Sequence, residues 1–159
     1  MADTDQQGYT LLLTDAPSAE EDAIIDGGLA DYNREKAGYV DARPLAVLIR
    51  DPGTSAVVGG LLGRTTLGLF FIDLVYLPPG LRYHGVGSAM LAAAEQEARR
   101  RGCTAVTLFT IWFQAPDFYA RHGYREVGRI ECAPPGHTRI CMAKQLADAA
   151  GISAQAAGT

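Results

Sequence analysis

The sequence is poor in cysteine, in basic residues and in long apolar runs, and each shortage argues against a class of protein. Its three cysteines are widely spaced and form no C-x-x-C pair, which argues against a disulfide framework and a zinc site; they are Cys103, Cys132 and Cys141. The 14 lysine and arginine residues are outnumbered by 18 acidic residues, for a formal net charge of -4. A broad basic surface for a nucleic-acid backbone is therefore not expected.

Signals for a membrane or for secretion are also lacking. The most apolar stretch, LGLFFIDLVYL at residues 67–77, is too short to span a bilayer and contains Asp73. The chain starts with MADTDQQGYT, which is polar and acidic, whereas a signal peptide has basic residues followed by apolar ones. We therefore expect a soluble, cytoplasmic protein that binds neither a membrane nor nucleic acid and holds no metal.

The length and composition predict one globular domain. A chain of 159 residues, 48% of them hydrophobic, can bury a sizeable core. Strand and helix patterns extend over residues 9–146, so we place the domain there. Residues 1–8 are expected to form a flexible N-terminus, and the small, polar residues 147–159 a disordered tail.

The order of patterns predicts a mixed fold. A strand at Tyr9–Thr14 precedes a helical region, 17–38, which Gly27 and Gly28 are expected to divide into two helices. A hairpin with a type II turn at residues 51–54 follows, and the apolar strand 67–77 is expected to be covered on both faces. A helix over 85–101, a strand over 104–111, a short helix within 115–123 and two closing strands complete the order. This order indicates an α/β or α+β fold with three layers around a mixed sheet of about seven strands.

The stretch RYHGVG, between the apolar strand and the next helix, has the features of an anion site. The first backbone N–H groups of a helix lack partners and lie at the positive end of its dipole. Gly85 and Gly87 let an anion approach the backbone closely, Ser88 adds a hydroxyl donor, and Arg82 adds a charge. The alternative is a tight turn from strand to helix that binds nothing.

Two common phosphate-binding motifs do not match this stretch. The chain lacks G-x-x-x-x-G-K-[ST], which argues against a P-loop NTPase. The three-glycine dinucleotide fingerprint is incomplete, and the strand lies in the middle of the chain rather than in a leading βαβ unit.

Two motifs together resemble those of the GNAT superfamily of acyl-CoA-dependent N-acetyltransferases. RYHGVG matches the family pattern [Q/R]-x-x-G-x-[G/A]. Downstream, QAPDFYARHGYREVG is similar to A-x-x-F-Y-x-x-x-G-[FY]; the matching residues are Ala115, Phe118, Tyr119, Gly123 and Tyr124. The resemblance covers roughly Tyr9 to Leu146, and it implies a GNAT-like, mostly antiparallel sheet with flanking helices.

The resemblance also implies acetyl-CoA as the cosubstrate and a set of residues that bind it. The backbone N–H groups that would bind its pyrophosphate belong to Arg82, Tyr83, His84, Gly85, Val86, Gly87 and Ser88. The pantetheine arm would pair with Val75, Tyr76 and Leu77, in a cleft where this strand and the next one diverge. Trp112 stands where the family often has Asn, and Gln114 is the candidate replacement.

Two residues are candidates for proton transfer. By the resemblance, Tyr119 is the general acid that protonates the departing thiolate, and a phenol with a pKa of about 10 is protonated at neutral pH. The alternative is a tyrosine that packs in the core beside Phe118. Asp73 interrupts an apolar strand near the expected cleft and could act as the base. The alternative for Asp73 is a carboxylate paired with a buried arginine or with backbone amides.

The residues that would select the acceptor are less specific. Tyr32 and Asn33, on an early helix, and His137, after a Pro-Pro-Gly turn, are candidates for substrate binding. Polar residues on an early helix are also consistent with a solvated face. His84 is expected to meet the cofactor or solvent, and His122 to have a structural role at the end of a helix.

The predicted function is transfer of an acetyl group from acetyl-CoA to a primary amine by direct attack, in a monomer or homodimer. A non-catalytic acyl-CoA sensor would keep the anion site without needing Tyr119. A nucleotide-phosphate binder is a third possibility, in which ATP or NAD would compete with CoA. The acceptor itself is left open between a polyamine, an antibiotic, an amino acid and a protein N-terminus.

Overall fold

A computed structural model of the chain describes residues 3–4 and 8–146. The chain divides into two compact units, with bounds 1–40 and 41–159. Most of the predicted flexible N-terminus and all of the predicted tail lie outside the described residues. The predicted domain bounds, 9–146, stay a prediction.

The N-terminal unit contains a short ribbon and one long helix. Strands β1, Asp3–Thr4, and β2, Thr10–Leu11, pair in antiparallel fashion, so β2 is much shorter than the predicted strand at Tyr9–Thr14. Helix α1, Ala19–Ala37, is continuous, and its predicted division at Gly27 and Gly28 is wrong.

Capping at both ends explains why α1 stays continuous through its two glycines. The Ser18 side chain accepts a hydrogen bond from the Glu21 N–H, and the Glu21 carboxylate accepts one from the Ser18 N–H, at 3.2 and 2.6 Å. Gly38 ends the helix in the left-handed conformation. A glycine inside a helix costs about 1 kcal/mol, which a helix with both ends capped tolerates.

The C-terminal unit is built on a six-stranded sheet that confirms the predicted mixed, mostly antiparallel fold. Its strands lie in the order β3-β4-β5-β6-β8-β7, and only the β5–β6 pair is parallel. The sheet has six strands rather than about seven because β2 pairs with β1 instead. The strand bounds are β3, Arg43–Arg50; β4, Val57–Thr66; β5, Leu69–Tyr76; β6, Ala105–Ile111; β7, Arg125–Cys132; and β8, His137–Gln145.

Two α-helices and a 3₁₀ turn connect these strands. The turn, Pro79–Leu81, and helix α2, Val86–Arg100, lead from β5 to β6. Helix α3, Pro116–Arg121, leads from β6 to β7. The apolar side chains of α2 join one face of the sheet in the hydrophobic core; the buried members include Met90, Leu91, Ala94, Ala98, Leu61, Phe70, Val106, Leu108, Ile140 and Met142.

The hairpin between β3 and β4 forms as predicted, but its turn is not type II. That turn requires a positive φ at its third residue, whereas the positive φ of this loop, 62°, belongs to Ser55. The Asp51 carboxylate accepts hydrogen bonds from the backbone N–H groups of Gly53 and Thr54, at 2.9 and 2.8 Å. The Asp51 carbonyl accepts from the Ser55 N–H at 2.8 Å. The aspartate side chain therefore organises a longer loop.

A β-bulge in β5 separates the sheet into a paired part and an open part. Leu62 of β4 lies opposite Leu74, whereas its neighbour Gly63 lies opposite Ile72, so Asp73 is the extra residue. Strand β5 pairs with β6 only from Leu69 to Ile72. Beyond the bulge, residues 74–76 pair with β4 alone, and residues 73–76 are exposed. The prediction that strand 67–77 is covered on both faces is therefore wrong for its second half.

Gly63 is required where the bulge brings the backbone of β5 close. An added Cβ would lie 2.2 Å from the carbonyl oxygen of Phe71 and 2.9 Å from the ring of Phe70. Because one contact is with backbone, rotation of a side chain cannot relieve it. The bulge and the glycine opposite it are thus one structural unit.

We expect Gly63→Ala to lower the free energy of unfolding by about 2 kcal/mol, the usual cost of forcing atoms into packed space. Urea unfolding followed by circular dichroism measures the change. Gly128→Ala in β7 is the matched control, because its added Cβ meets no atom within 4 Å. Equal stability of the two variants would show that the close approach at Gly63 does not constrain the fold.

Candidate active site

The loop between β5 and α2 has the backbone conformation that an anion site requires. Tyr83 and Gly85 adopt positive φ angles of 64° and 80°. No atom lies within 4 Å of where a Cβ on Gly85 would stand, so the space beside this backbone is open. The Arg82 side chain donates from Nε to the carbonyl oxygen of Leu77 at 2.9 Å. That bond fixes the arginine beside the loop and leaves its terminal nitrogens available.

The first turn of α2 has free N–H groups. Its first backbone bond runs from the Ala89 N–H to the Gly85 carbonyl, and no side chain caps the helix. Within the described residues, the N–H groups of Val86, Gly87 and Ser88 have no backbone acceptor. The first turn contains no acidic residue, whereas α1 has a capping box and three acids at this position. These free donors fit a diphosphate that would cap the helix.

Helix α3 lies against this turn of α2 through two contacts. A Cβ on Gly87 would stand 3.4 Å from the ring of Phe118, so the glycine allows the close approach. His122 Nε2 lies 2.8 Å from Ser88 Oγ, and His122 Nδ1 lies 2.8 Å from the carbonyl oxygen of Phe118. The two sequence motifs thus form one site, and His122 has a role beyond the end of its own helix.

The His122 contacts limit what Ser88 can donate. A carbonyl oxygen only accepts, so Nδ1 of His122 donates to Phe118. Because the Ser88 hydroxyl is hydrogen-bonded to His122 Nε2, the free donor that Ser88 offers an anion is its backbone N–H.

Tyr119 lies in the core with its hydroxyl at an open surface. Its ring is 6% exposed and packs edge-on against Phe118 and Tyr124, with centroids 5.3 and 5.5 Å away. The Tyr119 hydroxyl has no hydrogen-bond partner among the described residues. In contrast, every fully enclosed side-chain oxygen or nitrogen of those residues does have a partner. The oxygen therefore retains accessible surface. Burial raises the pKa of Tyr119 to about 12, so the phenol is protonated at neutral pH.

The sequence predictions missed a buried carboxylate that contacts Tyr124, the ring packed against Tyr119. Glu95 is 4% exposed and accepts hydrogen bonds from the Tyr124 hydroxyl at 3.0 Å and from Lys144 at 2.8 Å. Arg99 lies 3.5 Å from the same carboxylate. Burial, then the charge of Glu95, raises the pKa of Tyr124 far above its usual range. An acid on the apolar face of α2, four residues after Leu91, was the signal that could have revealed this network.

The predicted cofactor residues of β5 lie on the open part of the sheet. Val75, Tyr76 and Leu77 follow the bulge, and no β6 residue pairs with Val75 or Tyr76. Across the opening, the Gln114 side-chain oxygen accepts from the Ile111 N–H at 3.0 Å, so its amide nitrogen is what it can offer a ligand. His84 and Tyr83 are exposed in the loop.

A cluster of aromatic rings lies where β6 ends and β8 begins. The ring centroid of Phe113 is 5.8 Å from that of Trp112 and 5.5 Å from that of His137. His137 is fixed by a contact of 2.9 Å between its Nδ1 and the Pro134 carbonyl oxygen. Trp112 and Phe113 are about half exposed, so the cluster presents aromatic surface to solvent.

Asp73 lines a cavity of about 350 Å³ on the sheet face opposite α2. The other lining residues are Ile72, Phe109, Ile130 and Arg139. Asp73 is paired with Arg64, and its side chain is 44% exposed. The sequence alternative for Asp73 was a carboxylate paired with a buried arginine, whereas its partner Arg64 is exposed. Its role as a base stays a prediction.

The remaining residues predicted from the sequence belong to other elements of the structure. Tyr32 and Asn33 are on α1, in the N-terminal unit, where Lys36 Nζ stands 5.5 Å from the Tyr32 ring centroid. The cysteines are free, with Cys103 buried. No group of three or more His, Cys, Asp or Glu residues in the described part of the chain is arranged to hold a metal. None of the described helices has the length and apolar character needed to cross a bilayer.

The bulged strand β5, the uncapped helix α2 and the loop between them agree with the arrangement that the resemblance to acyl-CoA-dependent acyltransferases implies. Residues 9–128 match the family model of the acetyltransferase (GNAT) family. The chain therefore belongs to this family.

Individual relatives agree with the family match. An acetyltransferase of Agrobacterium fabrum is 35% identical over 135 residues, covering 85% of this chain and 98% of the relative. A blasticidin-S acetyltransferase of Streptomyces morookaense is 37% identical over 110 residues, covering 67% of this chain and 81% of the relative. A crystal structure assigned as an acetyltransferase of Agrobacterium tumefaciens has a TM-score of 0.78 at 31% identity, covering 86% and 99% of the two chains.

The buried Tyr119 predicts a loss of stability at alkaline pH. Its folded-state pKa, about 12, exceeds the value near 10 of an exposed tyrosine. Stability associated with a raised pKa is complete below the unfolded value and is lost as pH rises through the folded value. We therefore expect the free energy of unfolding to fall above pH 10, by up to about 1 kcal/mol per pH unit from this residue.

Urea unfolding between about pH 8 and pH 11 measures this fall, and Tyr119→Phe is expected to make it shallower. Tyr76→Phe alters an exposed ring and serves as the control, with an unchanged slope. A slope in Tyr119→Phe equal to that of the wild type would contradict the assignment.

Proposed function

We propose that the protein is an N-acetyltransferase that moves an acetyl group from acetyl-CoA to a primary amine of a small molecule or peptide by direct attack. The observation that carries this proposal is the open edge of β5 at Val75 and Tyr76, directly followed by the free N–H groups of α2. The proposal includes a domain over residues 9–146 in a cytoplasmic protein, acting as a monomer or homodimer without a metal, a membrane or nucleic acid.

The cofactor would lie along these two features. The backbone N–H groups from Arg82 to Ser88 would bind its pyrophosphate, with the Arg82 guanidinium adding charge. The backbone of Val75 to Leu77 would pair with the amides of the pantetheine arm, and Gln114 would offer its amide nitrogen from the other wall. Acetyl-CoA, when bound, supplies a thioester whose carbonyl carbon is open to attack. A backbone N–H beside the bulge would then stabilise the developing oxyanion.

Tyr119 is proposed as the general acid. As the new C–N bond forms and the C–S bond breaks, the departing thiolate needs a proton. The phenol of Tyr119 holds one at neutral pH, and its oxygen is not fully enclosed by the described residues. The edge-on packing against Phe118 and Tyr124 keeps the ring in one orientation.

Asp73 is proposed as the base. The attacking amine must be neutral, so an ammonium has to lose its proton first. Asp73 lies at the bulge, where the pairing of β5 with β6 ends, and its carboxylate is paired with Arg64 through one oxygen, which leaves the other for a proton.

The acceptor is proposed to bind on the sheet face that carries Asp73. His137, within its aromatic cluster, is the proposed contact residue of this face. Tyr32 and Asn33 of α1 are kept as separately proposed substrate-binding residues of the N-terminal unit. One relative is named as a blasticidin-S acetyltransferase, which favours a small-molecule acceptor here as well.

Calorimetric titration of acetyl-CoA, combined with a thiol-release assay across a panel of amines, tests the function. We expect binding and thiol release that depends on an amine, because the site offers both a cofactor cradle and a proton donor. Binding without release on any amine would favour the acyl-CoA sensor instead. Competition by ATP or NAD at the concentrations that bind CoA would favour a nucleotide-phosphate binder.

Replacing the proposed acid tests the mechanism. We expect Tyr119→Phe to lower kcat at saturating acetyl-CoA by about tenfold or more, since general acids typically contribute at least that much. The Kd for acetyl-CoA should stay the same, because the hydroxyl does not hold the cofactor in the ground state. Tyr39→Phe, at an exposed position, is the control. Unchanged turnover in Tyr119→Phe would remove this residue from the mechanism.

A further inference from the structure

The cavity at Asp73 contains a cation that has no partner among residues 3–4 and 8–146. Arg139 lines this cavity, and its guanidinium has no hydrogen bond or ion pair within the described part of the chain. Arg139 lies on β8 next to the buried Ile140, so its side chain belongs to the face away from α2. Phe109 and Ile130 form apolar walls beside it.

The charges of this cavity do not favour a polycationic acceptor. The Asp73 carboxylate is paired through Oδ1 with Arg64, and Arg139 adds a second cation. Two guanidinium groups and one carboxylate give a local charge of +1, although the chain as a whole carries -4. An acceptor with several amines would meet like charge here, whereas one with an anionic group would neutralise the unpaired cation.

The strand positions set the spacing between the two charged ends. Ile72 pairs with Leu108, so Asp73 is level with Phe109 on β6. Arg139 pairs with Ile111, two residues further along β6. Strands β5 and β8 flank β6, so the width of β6 and this two-residue offset separate Asp73 from Arg139. Both residues line the same cavity, so a molecule with a charged group at each end would bridge them.

We propose that the amine acceptor also carries a carboxylate, which Arg139 binds while the amine faces Asp73. The inference rests on the proposed amine acetylation and names the class of acceptor for the same site. A guanidinium presents parallel N–H donors that match the two oxygens of a carboxylate. The unpartnered oxygen of Asp73, Oδ2, faces the amine as a proton acceptor. The acceptor is thus a zwitterionic amino carboxylate, such as a free amino acid.

Matched pairs of acceptors test the proposal. Glycine, β-alanine, 4-aminobutyrate and 6-aminohexanoate are each compared with their amides, with acetyl-CoA saturating and thiol release as the readout. For at least one chain length, we expect kcat/KM of the acid to exceed that of the amide by about tenfold or more, the effect of a hydrogen bond between charged groups. The preferred length reports the distance between Asp73 and Arg139.

Variants of Arg139 test whether this residue causes the preference for acids over amides. Arg139→Gln should bring the ratio of acid to amide close to one. Arg139→Lys keeps the charge and should retain part of the preference. Arg129→Gln is the matched control, since it removes the same charge from a residue that is paired with Glu126 on β7. Calorimetric titration of acetyl-CoA into each variant verifies that the fold and the cofactor site are intact.

The outcomes separate this inference from the proposed function. Amine-dependent thiol release without a preference for the acids would overturn the inference and leave the function standing. A preference that persists in Arg139→Gln would overturn the role of Arg139. Absence of thiol release with every amine would overturn both proposals, and calorimetry with acetyl-CoA would still report on the cofactor site.

Discussion

The loss of pairing between β5 and β6 is the constraint on which the rest of the site depends. A parallel pair would normally continue along both strands, but the extra residue at Asp73 ends it after Ile72. The backbone beyond the bulge keeps one free edge, and Gly63 on the neighbouring strand allows the close approach that the bulge requires. An open edge inside a sheet is unusual because unpaired backbone groups are costly unless a ligand or water satisfies them.

The helices complete what the strands leave open. The uncapped first turn of α2 follows the open edge in the chain, and α3 is held against it by Phe118 and by the bond between His122 and Ser88. Two turns further along the same face of α2, Glu95 binds Tyr124 and Lys144 and thereby links α2 to β8 and to the residue before β7. These polar contacts are buried and directional, so they fix the relative position of the groups assigned to the cofactor and to proton transfer.

The two sheet faces have different chemistry. The face toward α2 is apolar and contains Tyr119, whose burial keeps its proton at neutral pH. The opposite face carries Arg64, Asp73 and Arg139, which are exposed and charged. A protonated acid on one side and a carboxylate on the other match a reaction that adds a proton to the leaving group and removes one from the nucleophile.

The sequence by itself determined the family, the element order after residue 43 and the location of the uncapped helix start. Local patterns carry these features: period-two and helical repeats mark the elements, and paired glycines at a helix start mark the free N–H groups. The prediction that Gly27 and Gly28 divide α1 is wrong, because the capping residues Ser18 and Glu21 favour one continuous helix. Both signals are local in the sequence. The tertiary structure alone decided the bulge at Asp73, the contact of His122 with Ser88 and the unpaired state of Arg139. Each depends on atoms from distant parts of the chain, and no local pattern specifies which of them meet.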